Sequence, residues 1–238
     1  MSQTFTLYIA TDTIVDDAQK IGVTVDELSR ISIQVTTEIV HQPTLHLQLT
    51  YYITVPTPSL AAKLDWPTWQ NNQVGFSDYL WEDTCLECFI KGGSVTNEID
   101  CLKNAESYIE INASPDGRYA LYQFDSYRNP STLPPAPLYH IDKQERVGIH
   151  WANESLQRSP LDASSTISSL ASNLPRYERR FGILVNQLPK QQYAFNNTVV
   201  EYLPPCVILK FNEPALYFAP RHASPPDFHN SHHWSKFE

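Results

Sequence analysis

Acids and aromatics alternate along two stretches of the chain, LWEDTCLECFI (Leu80 to Ile90) and YIEINASPDGRYALYQFDSY (Tyr108 to Tyr127), the second running on into Arg128, Asn129 and Pro130. Side chains on an extended segment point alternately to two faces. Cys85, Glu87 and Phe89 therefore share one face of the first stretch, and Tyr108, Glu110 and Asn112 share one face of the second. A sheet face that carries acids, an amide and rings suits a polar ligand with one apolar side, because the polar groups bond it and the rings stack on it.

Other residue types that could do chemistry lead less far. Glu82, Asp83, Glu87 and Glu110 could supply the two cleft carboxylates that a glycosidase needs. Glu82 and Asp83 fall at a strand entrance, however, where acids commonly cap or turn the chain. No Gly-x-Ser-x-Gly, P-loop or dinucleotide motif accompanies them in a chain with only 7 glycines. Cys85 and Cys88 form a Cys-x-x-Cys pair, but residues three apart on a strand face opposite sides, which makes a shared disulfide or metal geometrically poor. All four cysteines (85, 88, 101 and 206) read as buried, reduced thiols. The C-terminal string Asp227-Phe228-His229-Asn230-Ser231-His232-His233, with His222 before it, could gather a carboxylate and nitrogens around a divalent metal. His222, Asp227 and His229 are its weak candidates, and no metal is expected.

The elements that must position these groups are strands. Ile31 to Ile39 and Leu45 to Val55 alternate apolar and polar residues and read as a hairpin around His41, Gln42 and Pro43. Further strands are predicted at Thr84 to Lys91, Ser107 to Asn112, Arg118 to Ser126, Arg180 to Gln187, Val199 to Glu201 with Val207 to Phe211, and Ala215 to Ala219. Pro115-Asp116-Gly117 makes Tyr108 to Tyr127 an antiparallel hairpin, with glycine supplying positive φ. One short helix is predicted over Val23 to Arg30, with Thr24 as N-cap and Glu27 at capping-box spacing. Pro56 to Ser77, with Trp66 and Trp69, reads as a loop folded over a sheet edge or mouth. Proline-rich Asn129 to Leu138 and serine-rich Ser159 to Leu174 read as loops too short to separate domains. Many strands and almost no helix predict an all-β, single-domain antiparallel two-sheet β-sandwich spanning residues 1–238.

Composition narrows the function. Hydrophobic residues at 42% and aromatics at 12% supply a substantial core, which excludes disorder. A net charge of -9 without a Lys/Arg cluster opposes the phosphate backbone, so no nucleic acid partner is expected. The start of the chain lacks the basic and apolar runs of a signal peptide, and no apolar run is long enough to span a membrane. A cytoplasmic protein with no membrane partner is the expectation.

The succession LWEDTCLECFI, YIEINASPDGRYALYQFDSYR and HASPPDFHNSHH resembles a family of small bacterial DOMON-like proteins, which are similar to family 9 carbohydrate-binding modules. The motifs run from about Leu45 to His233; ALYFA at Ala215 to Ala219 departs from the Tyr-Trp pair expected there, and the segment near Val23 is inserted. The resemblance implies a sandwich without an assigned reaction whose relatives bind sugars or haem. Sugar sites combine ring faces with carboxylates, amides and guanidinium groups, which singles out Trp81, Glu87, Glu110, Asn112, Tyr122 and Arg128 as ligand-binding residues. Structural duties compete at each: Trp81 could cap the core, Glu110 could pair with Arg128, and Asn112 could bond the turn at Ser114. Haem needs axial ligands; the only methionine is Met1, and His41, His46, His140 and His150 show no favourable spacing.

The expectation is therefore non-catalytic binding of a small polar ligand, a saccharide or sugar-containing metabolite, with no cofactor. The alternatives are an interaction module that docks a protein or a second copy through the same aromatic face, as in a homodimer, and a carboxylate-dependent glycoside hydrolase or haem-binding domain.

Overall fold

The computed structural model describes residues 1–40, 45–94, 106–140, 144–152, 174–184 and 198–238. Its strands are β1 (Ser2–Ile9), β2 (Ser32–Val40), β3 (His46–Thr54), β4 (Gly75–Phe76), β5 (Cys85–Ser94), β6 (Tyr108–Ala113), β7 (Arg118–Phe124), β8 (His150–Trp151), β9 (Arg176–Leu184), β10 (Thr198–Tyr202), β11 (Pro205–Lys210) and β12 (Ala215–Ala219). The fold is all-β, as the alternation predicts. The expected turn at His41 to Pro43, most of the serine-rich stretch from Ser159 and Cys101 lie outside the described residues.

Hydrogen bonds join the strands in one curled path, β4-β7-β6-β5-β11-β12-β1-β2-β3-β9-β8, with β10 pairing on β5. Two separately bonded sheets were expected; β1 instead belongs to both halves. It pairs with β2 from Ser2 to Leu7 and passes to β12 through Tyr8 and Ile9. The sheet is also mixed, because β4 lies parallel to β7.

The two halves bury their apolar faces against each other. Ile33 and Val35 of β2 and Leu47, Leu49 and Ile53 of β3 share one core with Leu86, Cys88, Ile109, Ile111, Val207 and Leu209. A direct bond crosses the layer, where the Tyr51 hydroxyl donates to the Glu87 carbonyl at 2.7 Å. The half made of β5, β6, β7 and β11 is covered on its other face too. A second cluster there contains Cys85, Phe89, Tyr108, Tyr122, Phe124, Cys206 and Ile208, under Leu80 and Trp234. Every residue of β6 is therefore buried. Acids carried by such a half-sheet are cut off from bulk water.

The short helices follow local rules. Thr24 caps α2 (Val25–Ser29) by accepting the Glu27 N–H at 3.1 Å, as its spacing predicts. The Glu27 carboxylate accepts a 2.6 Å bond from the Thr57 hydroxyl, tying α2 to the cap residue of α3 (Pro58–Ala61). A further helix, α1 (Ile14–Ile21), buries Ile14, Ala18 and Ile21 at helical spacing and ends on Gly22 at φ 73°. Among the described residues no helix is long and apolar enough to cross a membrane.

Candidate functional site

The β6–β7 hairpin and its neighbour β5 build the site. Register sets Glu87 opposite Asn112, Phe89 opposite Glu110, and Glu110 opposite Tyr122. Glu87 and Glu110 are thus diagonal neighbours on one face, as the alternation predicts. That face forms the floor of a cavity of about 430 Å³, within the ordinary range of small-molecule sites, roughly 300–1,000 Å³. Glu87, Glu110, Phe124 and Ile208 line the floor; Trp81 and Tyr217 line the sides; the loop from Arg128 to Pro135 and the segment Pro226 to His229 complete the walls. The aromatic face is therefore recessed, not a flat exposed patch.

Glu110, 5% exposed, is held firmly at one oxygen. Oε1 accepts a 2.8 Å bond from the Asn112 amide, and Oε2 lies 3.7 Å from Nε2 of His229. Burial pushes its carboxyl up to about 7, against the lowering effects of the Asn112 bond and the Arg128 charge. Glu87, 3% exposed, is less well provided. Its Oε1 is buried without a hydrogen-bond partner. Burial, then the nearby Glu110, drive the Glu87 carboxyl well above its ordinary range, and the weak Cys85 thiol donor and Arg128 only partly offset this. Cys85 itself reaches the Asn112 carbonyl oxygen at 3.6 Å.

His229 comes from a distant part of the chain. The Tyr108 hydroxyl accepts the Arg128 backbone N–H at 3.2 Å and lies 2.7 Å from Nδ1 of His229, to which it is assigned as the donor. This assignment leaves the ring proton on Nε2, facing Glu110. Phe89, Tyr108 and Phe124 surround the ring at centroid distances of 5.1, 5.8 and 5.1 Å. Burial, with Arg128 adding to it and Asp227 opposing, lowers the imidazole to about 3, so His229 is neutral at ordinary pH.

A charged clasp borders the cavity. Arg128, at φ 48°, donates from Nη2 to Asp227 Oδ1 at 2.8 Å, while the Tyr127 hydroxyl donates to Oδ2 at 2.5 Å. Burial alone would raise the Asp227 carboxyl; the Tyr127 and Arg128 bonds and the His229 backbone N–H outweigh it and hold the group below its ordinary range.

Four of the sequence-predicted residues, Trp81, Glu87, Glu110 and Arg128, meet at the cavity. Asn112 and Tyr122 stand behind it. Asn112 orients Glu110 instead of bonding the turn, and the buried Tyr122 donates to Asp78 at 2.8 Å and packs edge-on against Trp81. The expected Glu110–Arg128 ion pair is replaced by Arg128–Asp227. Asp227 and His229 join the cavity wall, whereas His222 bonds the Tyr8 carbonyl at 2.7 Å. Among the described residues no group of three or more His, Cys, Asp and Glu is placed to hold a metal. Cys85 and Cys88 face different cores, and with Cys206 they are free and buried. Sequence reading missed Tyr217 and Phe228 as lining residues and Asp78 as the support of Tyr122. The one signal toward Phe228 was its place inside Asp-Phe-His. Comparison with protein-family models, with curated proteins and with solved structures gives no match.

Proposed function

We propose that the protein binds a small polar ligand, a saccharide or sugar-containing metabolite, in this cavity without catalysing a reaction. The observation that carries the reading is the buried, unpartnered Oε1 of Glu87 on the floor of a cavity of ligand size. A buried acceptor without a donor is costly, about 1–3 kcal/mol, and a turn of the Glu87 carboxyl toward a ligand hydroxyl recovers that cost. Trp81, Tyr217 and Phe228 offer ring faces to the apolar side of a sugar. The recessed shape favours a small molecule over a docked protein. The packing of one half-sheet on the other supports a DOMON-like sandwich as the fold, and the free thiols among the described residues support a cytoplasmic setting.

A panel of mono- and disaccharides and nucleotide sugars tests the reading by thermal shift. A ligand at one hundred times its Kd adds about 2.7 kcal/mol to stability. The expected result is a raised Tm with at least one sugar, abolished by Trp81→Ala; if no sugar shifts the Tm, the binding proposal falls.

One observation favours glycoside hydrolysis as a second reading: two cavity carboxyls have opposed proton affinities, Glu110 at about 7 and Asp227 below its ordinary range. Release of nitrophenol from aryl glycosides, lost in Glu110→Gln, would establish it in place of simple binding.

A further inference from the structure

We propose that the ligand carries a protonated amine and that Glu87 and Glu110 receive it on the cavity floor, which makes the bound saccharide an amino sugar. The inference rests on the saccharide reading and narrows it. Both carboxyls are nearly inaccessible and lie diagonally across β5 and β6. Yet among the described residues no Lys or Arg bonds either acid, and the Arg128 charge acts on both only through space. Arg128 is the only Lys or Arg that lines the cavity among the described residues, and its guanidinium is already bonded to Asp227. His229, the remaining basic group on the wall, is held neutral. A neutral sugar would offer hydroxyls to Glu87 Oε1 but would leave the two acids without a bonded counter-charge in a low-dielectric site, where ionisation is unfavourable unless a cation enters. An ammonium supplies three donors as well as the charge. The rings of Trp81, Phe124 and Phe228 face the same space and attract the positive end of such a ligand. An ammonium alone fills only part of about 430 Å³, which leaves room for a sugar ring.

Calorimetric titration with matched pairs, glucosamine with glucose, galactosamine with galactose and mannosamine with mannose, decides the matter at a pH where the amines are protonated. In at least one pair the amino sugar should bind the wild-type protein about ten-fold or more tightly than its neutral partner. Glu87→Gln, which keeps the side-chain size, should erase that preference while its unliganded Tm shows that the fold is retained. Titration in buffers of different ionisation enthalpy should show protons released on binding, because an ammonium beside Glu110 draws off its proton. Equal or tighter binding of the neutral sugars overturns the inference and leaves the saccharide reading standing. Binding of cyclohexylamine but of no sugar sustains the amine and removes the saccharide. If neither sugars nor amine bind, both fall.

Discussion

Asp116 and Glu110 sit on one hairpin, 3% and 5% exposed, yet the two are provided for in opposite ways. At the turn, Asp116 Oδ1 accepts the Arg118 backbone N–H at 3.0 Å and Oδ2 accepts the Arg118 Nε at 2.8 Å. Arg179, itself 2% exposed, donates to the Pro115 and Glu178 carbonyls at 2.9 Å and lies 5.5 Å from the Trp66 ring. At the floor of the cavity, Glu110 has one firm donor and Glu87 Oε1 has none. Burial is the same in both places and so does not mark function. What separates them is unused hydrogen-bonding capacity, absent at the turn and kept open at the floor.

The sharpest test of the contrast is removal of the cation at the turn. Arg179→Met should destabilise the protein by about 4 kcal/mol in urea denaturation, because it takes the donors away from the Pro115 and Glu178 carbonyls. Glu87→Gln at the floor should be neutral or stabilising by up to about 1 kcal/mol at pH 8. A large loss there would make the floor structural and break the comparison.

Proton linkage comes next. Glu110 holds its proton more tightly in the fold, at about 7 against an ordinary 4.5, so its share of stability is full below about 4.5 and is lost as pH rises toward 7. His229, lowered from 6.5 to about 3, acts in the opposite sense and costs stability as pH falls below 6.5. Glu87, whose carboxyl is also driven upward, slopes the same way as Glu110, so between about 4.5 and 6.5 His229 offsets only one of the two acids. Relative to wild type, Glu110→Gln should therefore tilt the pH dependence of stability upward by up to about 1.4 kcal/mol per pH unit over this window, and His229→Asn downward by a similar amount. Denaturation curves at pH 4.5, 5.5 and 6.5 read both; parallel curves would refute the linkage.

Smaller effects refine the contrast. Gly117 needs φ 111°, and an added Cβ would stand 3.2 Å from Trp69, so Gly117→Ala should lower stability by about 2 kcal/mol with ligand affinity unchanged. Arg128, with its side chain 53% exposed, should behave in the reverse manner. Arg128→Ala should change urea stability by less than about 1 kcal/mol yet reduce the ligand-induced rise in Tm, because it opens the clasp.

Local pattern was enough for the hairpin and the shared face. Pro115-Asp116-Gly117 fixed the turn, and period-two alternation placed Glu87 and Glu110 together. Alternation assigns a face but says nothing of depth, which is why Asn112 and Tyr122 look like ligand contacts in the sequence and prove to be supports behind the floor. The joint between the halves spans only Tyr8 to Ala10 against β12 among the described residues, too short a pairing to leave a pattern. α1 was missed although Thr13 and Gly22 bracket it, and in the fold the Thr13 hydroxyl donates to Asp17 and makes no cap bond. Asp227 and His229 reach Arg128 and Tyr108 over separations of 99 and 121 residues, a contact without any local signature. Their clustering suggested a metal because the sequence cannot show that tyrosine and arginine already occupy their donor atoms.

The roof over the floor comes from a late segment, Pro226 to Trp234, while the floor, apart from Ile208, is in place by Phe124. During synthesis the acids and rings of β5, β6 and β7 thus emerge long before their cover does. A nascent chain halted before Pro226 would present Phe89, Tyr108 and Phe124 to the surrounding water, a surface that chaperones and other unfinished chains bind. The cavity is accordingly complete only once Pro226 to Trp234 has been made.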